Sequence, residues 1–271
     1  MKPRVVTIIQ ARMGSSRLPG KVMMDIAGQP MLARVFIRCS RSTTVNKTLV
    51  ATTTEAADDP IAEYCDFSGI PFTRGSQFDV LDRYYQAARQ AETDVVVRIT
   101  ADCPVIDPVL IDDVVKAVTG EQFDFASNRL PPPWGRTYPI GLDTEVVSFQ
   151  NLERAWREAK EPQEREHVMP FFYEGTKLTR AGRQLETGVS PHGYKIALLH
   201  HTTDFGEYRW TVDTPEDLEF IRQVFFRFEG RDDFSWKEVL DLVHNEPELM
   251  QINAGVKHKT LEDIDRRGLE G

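Results

Sequence analysis

The sequence holds no apolar run long enough to cross a membrane, and its N-terminal run, Val5 to Ile9, is too short for a signal peptide. A membrane anchor is therefore not expected, and the cytoplasm is the default location. Positive charge is in deficit: 33 Lys and Arg against 42 Asp and Glu leave a formal net charge of −9. A polyanion needs a basic surface, so a nucleic-acid partner is not expected either. Cysteine is scarce. Its three thiols, Cys39, Cys65 and Cys103, form no C-x-x-C pair and leave one unmatched, which indicates neither a disulfide framework nor a zinc site. Internal repeats and low-complexity tracts are also missing.

At 271 residues, with 41% hydrophobic and 28% charged, the chain can bury a substantial core as a single domain over 1–271. One stretch departs from the acidic background. Val5 to Ile9 is an unbroken, β-branched apolar run that reads as a buried strand. It ends at Gln10, and Arg12, Arg17 and Lys21 follow among Gly14, Ser15, Ser16, Pro19 and Gly20. Glycine and proline bend the chain and leave backbone N–H groups unpaired, so a cationic loop at a strand end suits phosphate. A surface loop with solvated cations is the plainer alternative. The P-loop pattern does not fit: Gly14 and Gly20 enclose five residues rather than four, and Val22 follows Lys21 where Ser or Thr is required. No G-x-G-x-x-G stands here.

The run from Ala11 to Met23, ARMGSSRLPGKVM, resembles the N-terminal signature of the sugar-acid cytidylyltransferases. These enzymes activate 3-deoxy-manno-octulosonate, sialic acids and related sugars as CMP conjugates. Arg17-Leu18-Pro19-Gly20-Lys21 is similar to the octulosonate branch, and the whole is most like the members named for spore-coat polysaccharide synthesis. The resemblance implies a CTP site over Ala11, Arg12, Met13, Gly14, Ser15, Arg17 and Lys21, with Asp102, in which Arg12 and Lys21 neutralise the triphosphate. It also implies a homodimer.

Along the chain, helix starts read at Pro30, at Asp58-Asp59-Pro60 (ending at Gly69) and at Asp107-Pro108, with a further helix over 80–91. Strands read at 49–53, 70–73 and 94–100. The alternation predicts an α/β fold with a doubly wound, mostly parallel sheet, which places ligands outside the carboxyl ends of its strands. The resemblance implies the Rossmann-like nucleotide-diphospho-sugar transferase version of it, close to the GT-A type. Beyond Gly120 the rhythm changes. Strands are expected at 123–126, 141–149, 194–199 and 210–212, helices at 152–160 and 166–173, and little order over 174–192. Thr214-Pro215 starts a long helix with Leu218, Ile221 and Phe225 inward, and the last forty residues look helical and then irregular. Residues 123–200 are expected as an inserted arm, which in the resembled family makes the dimer and closes the sugar pocket.

Nucleotidyl transfer displaces a leaving group at an already crowded, negative phosphorus, so it calls for cations and a magnesium ion held by one or two carboxylates. Asp102 follows Val-Val-Val-Arg-Ile-Thr and precedes Pro104; Asp213 stands in the run VDTPEDLE. Each reads equally as a turn or cap aspartate. Both match positions of the family's metal aspartates, so the resemblance implies Mg²⁺ on Asp102 and Asp213. Asp143 and Glu145, one residue apart, share a strand face and suit sugar hydroxyls, or are a solvated face. Arg165-Glu166-His167-Val168 resembles a family helix in which His167 contacts the sugar; a helix-surface histidine is the alternative. The reading that follows is a CTP-dependent transferase making a CMP-sugar and pyrophosphate from a sugar acid, for surface polysaccharide. Its rivals are a nucleotide-sugar glycosyltransferase, which more often shows an Asp-x-Asp missing around Asp102, and a non-catalytic nucleotide- or sugar-binding protein.

Overall fold

The apolar run forms β1 (Val5–Gln10), and its alternate side chains enter two different cores. Val6 and Ile8 join one apolar cluster, Val5 and Ile9 the other. A strand apolar on both faces must be covered on both. That requirement is met by a helix–sheet–helix architecture in this computed structural model, which describes residues 2–120 and 123–257.

After β1 comes a short hairpin, β2 (Asp25–Ile26) and β3 (Gln29–Pro30). The predicted alternation follows: α1 (Met31–Cys39), β4 (Lys47–Thr53), α2 (Asp59–Ser68), β5 (Phe72–Gly75), α3 (Val80–Gln90), β6 (Val95–Thr100) and α4 (Pro108–Thr119). Gly69 ends α2 in the left-handed region at φ 67°, and the Asp107 carboxylate caps α4 by accepting from the Val109 and Leu110 N–H groups. The sheet then continues with β7 (Phe125–Ser127) and β8 (Glu145–Ser148). Next come α5 (Phe149–Glu158), α6 (Pro162–His167) and α7 (Pro170–Tyr173), then β9 (Thr179–Arg180), β10 (Leu185–Val189) and β11 (Lys195–Leu199). Two helices close the described chain, α8 (Pro215–Arg227) and α9 (Trp236–Asn245).

The nine-stranded sheet runs β5-β4-β1-β6-β8-β7-β11-β10-β9. Seven strands point one way; β8 and β10 run against them. The chain winds outward from β1 through β4 to β5, then returns to place β6 on the other side of β1. The crevice outside the carboxyl ends of β1 and β6 is thus the topological switch point, where such sheets bind ligands. A third apolar cluster gathers Leu218, Ile221 and Phe225 of α8 with Val239 and Val243 of α9, around Trp210. The Thr214 hydroxyl and the Asp217 carboxylate form a capping box at the start of α8.

Several sequence expectations are corrected. Residues 123–200 are not wholly an inserted arm: β7 and β8 lie in the middle of the sheet, between β6 and β11. The strand expected from Gly141 begins only at Glu145, and it is buried on both faces instead of alternating. The helix expected over 166–173 is two short ones, broken at Val168, whose φ is 71°, with Pro170 opening the second. Residues 174–192 contain β9, an exposed edge strand, and β10, the half-exposed strand beside it, whose weak apolar pattern hides them. Trp210–Val212 is no strand; its neighbour Arg209 makes one bridge to Ile140. Of the last forty residues, α9 and a 3₁₀ turn at Pro247–Gln251 are described, while 258–271 lie outside the described residues.

Candidate active site

The cationic loop leaves β1 at Gln10 and folds back on itself. The Ser15 and Gly20 N–H groups both donate to the Met13 carbonyl at 2.9 Å, so these two donors are spent within the loop and not left open as expected. Gly20 has φ 73°, a conformation strained for any side chain, and it turns the backbone into Lys21. Leu18 is buried in the third apolar cluster and pins the loop from below. A further anchor comes from Asp58, expected to cap α2. Its carboxylate instead accepts from the Met13 N–H at 2.6 Å and from the Thr53 hydroxyl, tying the loop to the end of β4. Arg12 lies near Arg83, whose pKa burial lowers to about 10 with Arg12 contributing.

Lys21 is nearly buried, and its ammonium donates to three oxygens. They are Asp102 Oδ2 at 2.7 Å, the Val212 carbonyl at 2.7 Å and Asp213 Oδ1 at 2.9 Å. Burial disfavours that charge, but the two carboxylates outweigh it and raise the Lys21 pKa. The aspartates meet because the backbones are stitched together: the Val212 N–H and the Thr211 hydroxyl both donate to the Asp102 carbonyl, at 2.9 and 3.1 Å. Thr100 orients Asp102 by donating to Oδ1 at 2.6 Å. Asp213 Oδ2 accepts from Arg209 and is ion-paired with Arg17, each at 2.8 Å. Burial would raise the Asp213 pKa; Lys21, then Arg17 and Arg209, hold it far below the usual carboxylate range. Arg209 is itself clamped by Asp217 from Nε and Nη2, both at 2.9 Å.

Beside this cluster opens a cavity of about 190 Å³ whose walls include Asp102, Asp213, Asp143, Glu145, Arg98 and Arg129. Asp143 and Glu145 therefore face the same space, each already paired. Asp143 accepts from Arg136 at 2.7 and 3.3 Å, and Glu145 from Arg98. Gly141 makes the wall possible: with φ 106°, a Cβ there would stand 2.6 Å from the Thr211 nitrogen. His167 is not brought to this cavity; it ends α6, which Arg165 docks onto α3 through the Asp79 carboxylate. The Cys103 thiol lines the cavity, but burial, then Asp102, pushes its pKa well above the usual range, so it stays protonated and unsuited to nucleophilic attack.

The cytidylyltransferase family model matches residues 6–246, nearly the whole described chain. The chain belongs to the cytidylyltransferase family. The spore coat polysaccharide biosynthesis protein SpsF of Bacillus subtilis is 30% identical over 253 residues, covering 90% of this chain and 95% of that protein. The 3-deoxy-manno-octulosonate cytidylyltransferase of Anaeromyxobacter sp. (strain K) is 31% identical over 248 residues, covering 81% and 97%. Among solved structures, a cytidylyltransferase from Leptospira borgpetersenii superposes with a TM-score of 0.81 at 29% identity, covering 94% of this chain and 100% of that one.

Within this cytidylyltransferase, five residues of the site escaped the sequence reading: Asp58, Arg98, Arg129, Arg209 and Asp217. Arg98 carried a signal, since a charge inside the run Val-Val-Val-Arg-Ile-Thr must find a buried partner. Arg209 stands four residues before Asp213, but without a helix between them that spacing predicts no contact. Asp217 was legible only as a cap residue, and it serves as one while also holding Arg209.

Proposed function

We propose that this nucleotidyltransferase joins CTP to a sugar acid, for surface polysaccharide synthesis. An anomeric hydroxyl oxygen of the acceptor gives up its proton to water and bonds to the α-phosphorus, the bond from that phosphorus to the bridging oxygen breaks, and pyrophosphate departs with the electron pair. The observation that carries the reading is the convergence of Lys21, Asp102 and Asp213 at the switch point of the sheet. Lys21, Arg17 and Arg12, all on one loop, supply the positive charge that a triphosphate needs. The mixed cavity wall, with Asp143 and Glu145 as acceptors and Arg98 and Arg129 as donors, suits a polyhydroxylated anion. Relatives named for octulosonate activation and for spore-coat polysaccharide support the acceptor class.

Magnesium belongs to the same proposal. Among the described residues no group of three or more His, Cys, Asp and Glu is arranged to hold a metal ion, so an all-protein metal cage is not on offer. Two carboxylates and a carbonyl already converge on one cation, however, which is the hard-oxygen set of a magnesium ion that completes its shell with water and substrate phosphate. Asp102 and Asp213 would hold it, and when bound it would offset charge on the α-phosphate. A homodimer in the cytoplasm is part of this reading.

The test is pyrophosphate release from CTP, ATP, GTP and UTP, each with magnesium and a panel of sugar acids that includes 3-deoxy-manno-octulosonate and N-acetylneuraminate. Release is expected with CTP and at least one acid. Equal release from all four triphosphates would remove the cytidine assignment, and release from CTP with neutral sugars alone would remove the acid.

A further inference from the structure

Lys21 sits where a metal ion of the proposed reaction would sit. Its ammonium, within 2.7–2.9 Å of Asp102, Asp213 and the Val212 carbonyl, fills the point on which those oxygens converge. A magnesium ion takes its oxygens at about 2.0–2.1 Å, so it and an ammonium cannot share them, and their charges repel. Two kinds of cation surround Asp213. Arg209 is locked by Asp217 and stays. Lys21 and Arg17 belong to the loop after β1, on flexible side chains that can swing to a new anion.

We propose that Lys21 is an internal counter-ion of the carboxylate pair that exchanges onto the nucleotide's phosphates as the metal enters, so that metal and triphosphate bind as a linked pair. The inference rests on the nucleotidyl-transfer reading of the site. Metal alone must expel Lys21 with no phosphate to receive it. Triphosphate alone must draw Lys21 away from two half-buried carboxylates and leave them facing the phosphates. Each ligand therefore weakens its own binding in isolation and strengthens the other's, a reciprocal coupling. Arg17, on the same loop and the same carboxylate, follows the same exchange.

The consequence is that removing a site residue should tighten binding. Mn²⁺ affinity is measured by electron paramagnetic resonance without nucleotide, for the wild type, Lys21→Met and Lys21→Arg. Lys21→Met is expected to gain roughly tenfold or more, equivalent to one modest charge interaction, while Lys21→Arg, which keeps the charge, gains nothing. In the reciprocal titration, with EDTA present, Asp102→Asn should bind CTP and inorganic tripolyphosphate each roughly tenfold or more tighter than the wild type, because Lys21 is then held by one carboxylate instead of two. Unchanged or weaker Mn²⁺ binding by a cooperatively melting Lys21→Met overturns the proposal. If that variant does not fold, the Asp102→Asn titration decides, and no gain there overturns it. A gain for tripolyphosphate with CTP no better than ATP leaves the exchange standing and defeats the cytidine reading instead.

Discussion

Two groups of cations tie the first forty residues to the segment 212–234, and they differ in what satisfies them. On α1, Arg38 is fully buried and donates to the Ile106, Asp232 and Phe234 carbonyls at 2.8, 2.9 and 2.9 Å, with its guanidinium over the Phe234 ring. Arg34 does the same with the Ile26, Ala27 and Gly230 carbonyls, adding the Asp232 carboxylate. At the ligand edge, Lys21 donates to two carboxylates that solvent can reach and to the Val212 carbonyl, while Arg17 pairs with Asp213 and donates to the Lys257 carbonyl at 3.1 Å. A cation bound chiefly by buried carbonyls cannot leave without stripping them of a donor. A carboxylate-bound one can be traded for another anion. Charge is common to both groups; the balance of carbonyl against carboxylate partners separates a strut from a working part.

The charge states tell the same story. Burial lowers the Arg38 pKa to about 10, with Asp107 and Asp232 only partly restoring it, since carbonyls stabilise the cation less than a carboxylate does. Lys21, also buried, moves the other way because two aspartates face it.

The comparison breaks first, if it breaks, at Arg38. Arg38→Met would leave three strongly bonded carbonyls without donors, at about 1–3 kcal/mol each before relaxation, so a loss of about 3–5 kcal/mol is expected. Against a total stability of about 5–15 kcal/mol, this shows as a large fall in the urea midpoint. Pyrophosphate release per folded molecule should hold. A midpoint within error of the wild type would mean that water replaces the guanidinium, and the strut reading fails.

Lys21→Ala should invert that pattern. Turnover is expected to fall by about two to three orders of magnitude, the effect of losing one placed donor at a transition state. The urea midpoint should move far less than in Arg38→Met, because Asp213 keeps Arg17 and Arg209, and Asp102 keeps Thr100. Near-wild-type turnover would make Lys21 another strut.

How much of this contrast was legible follows from what sequence encodes. A cationic loop after a β-branched run stands out in an acidic chain, and the aspartates after β6 and after the strand expected at 210–212 could be placed on one edge by the predicted topology alone. Lys21 and the aspartates were thus put on the same edge, but in separate roles. Whether a lysine faces phosphate or a neighbouring carboxylate is a matter of ångströms that spacing does not carry. Asp58 reads as a helix cap because Asp-Asp-Pro is a cap pattern; the approach of Met13 from the loop after β1, with the Thr53 hydroxyl, redirects its carboxylate. The middle of the chain misled for a different reason. β8 is buried on both faces, β9 is an exposed edge and β10 beside it is half-exposed along its length, so none shows the alternation by which a strand is recognised.

The smallest expected effect lies at Asp112 on α4, which has the carboxylate of the ligand edge but the fixed partners of the strut. It accepts from the hydroxyls of Ser42, Thr43 and Thr44 and from the N–H groups of Thr43 and Thr44, in the turn between α1 and β4. Burial alone would raise its pKa; the Ser42 hydroxyl, then those of Thr43 and Thr44, outweigh it and lower the value below 3.8. A carboxyl depressed in the folded state adds stability above its unfolded pKa and loses it as pH falls through the folded one. Asp112→Asn keeps the shape and removes the charge, so a loss of about 1–2 kcal/mol is expected at neutral pH. The gap between wild-type and variant urea midpoints should stay constant from pH 7 to about 5, then narrow as pH drops below about 4. The comparison is sharpened by activity measured in parallel, which should be equal in the two proteins, since Asp112 touches neither the loop nor the cavity. A gap that persists unchanged to about pH 3 would show that shape, and not charge, holds this turn.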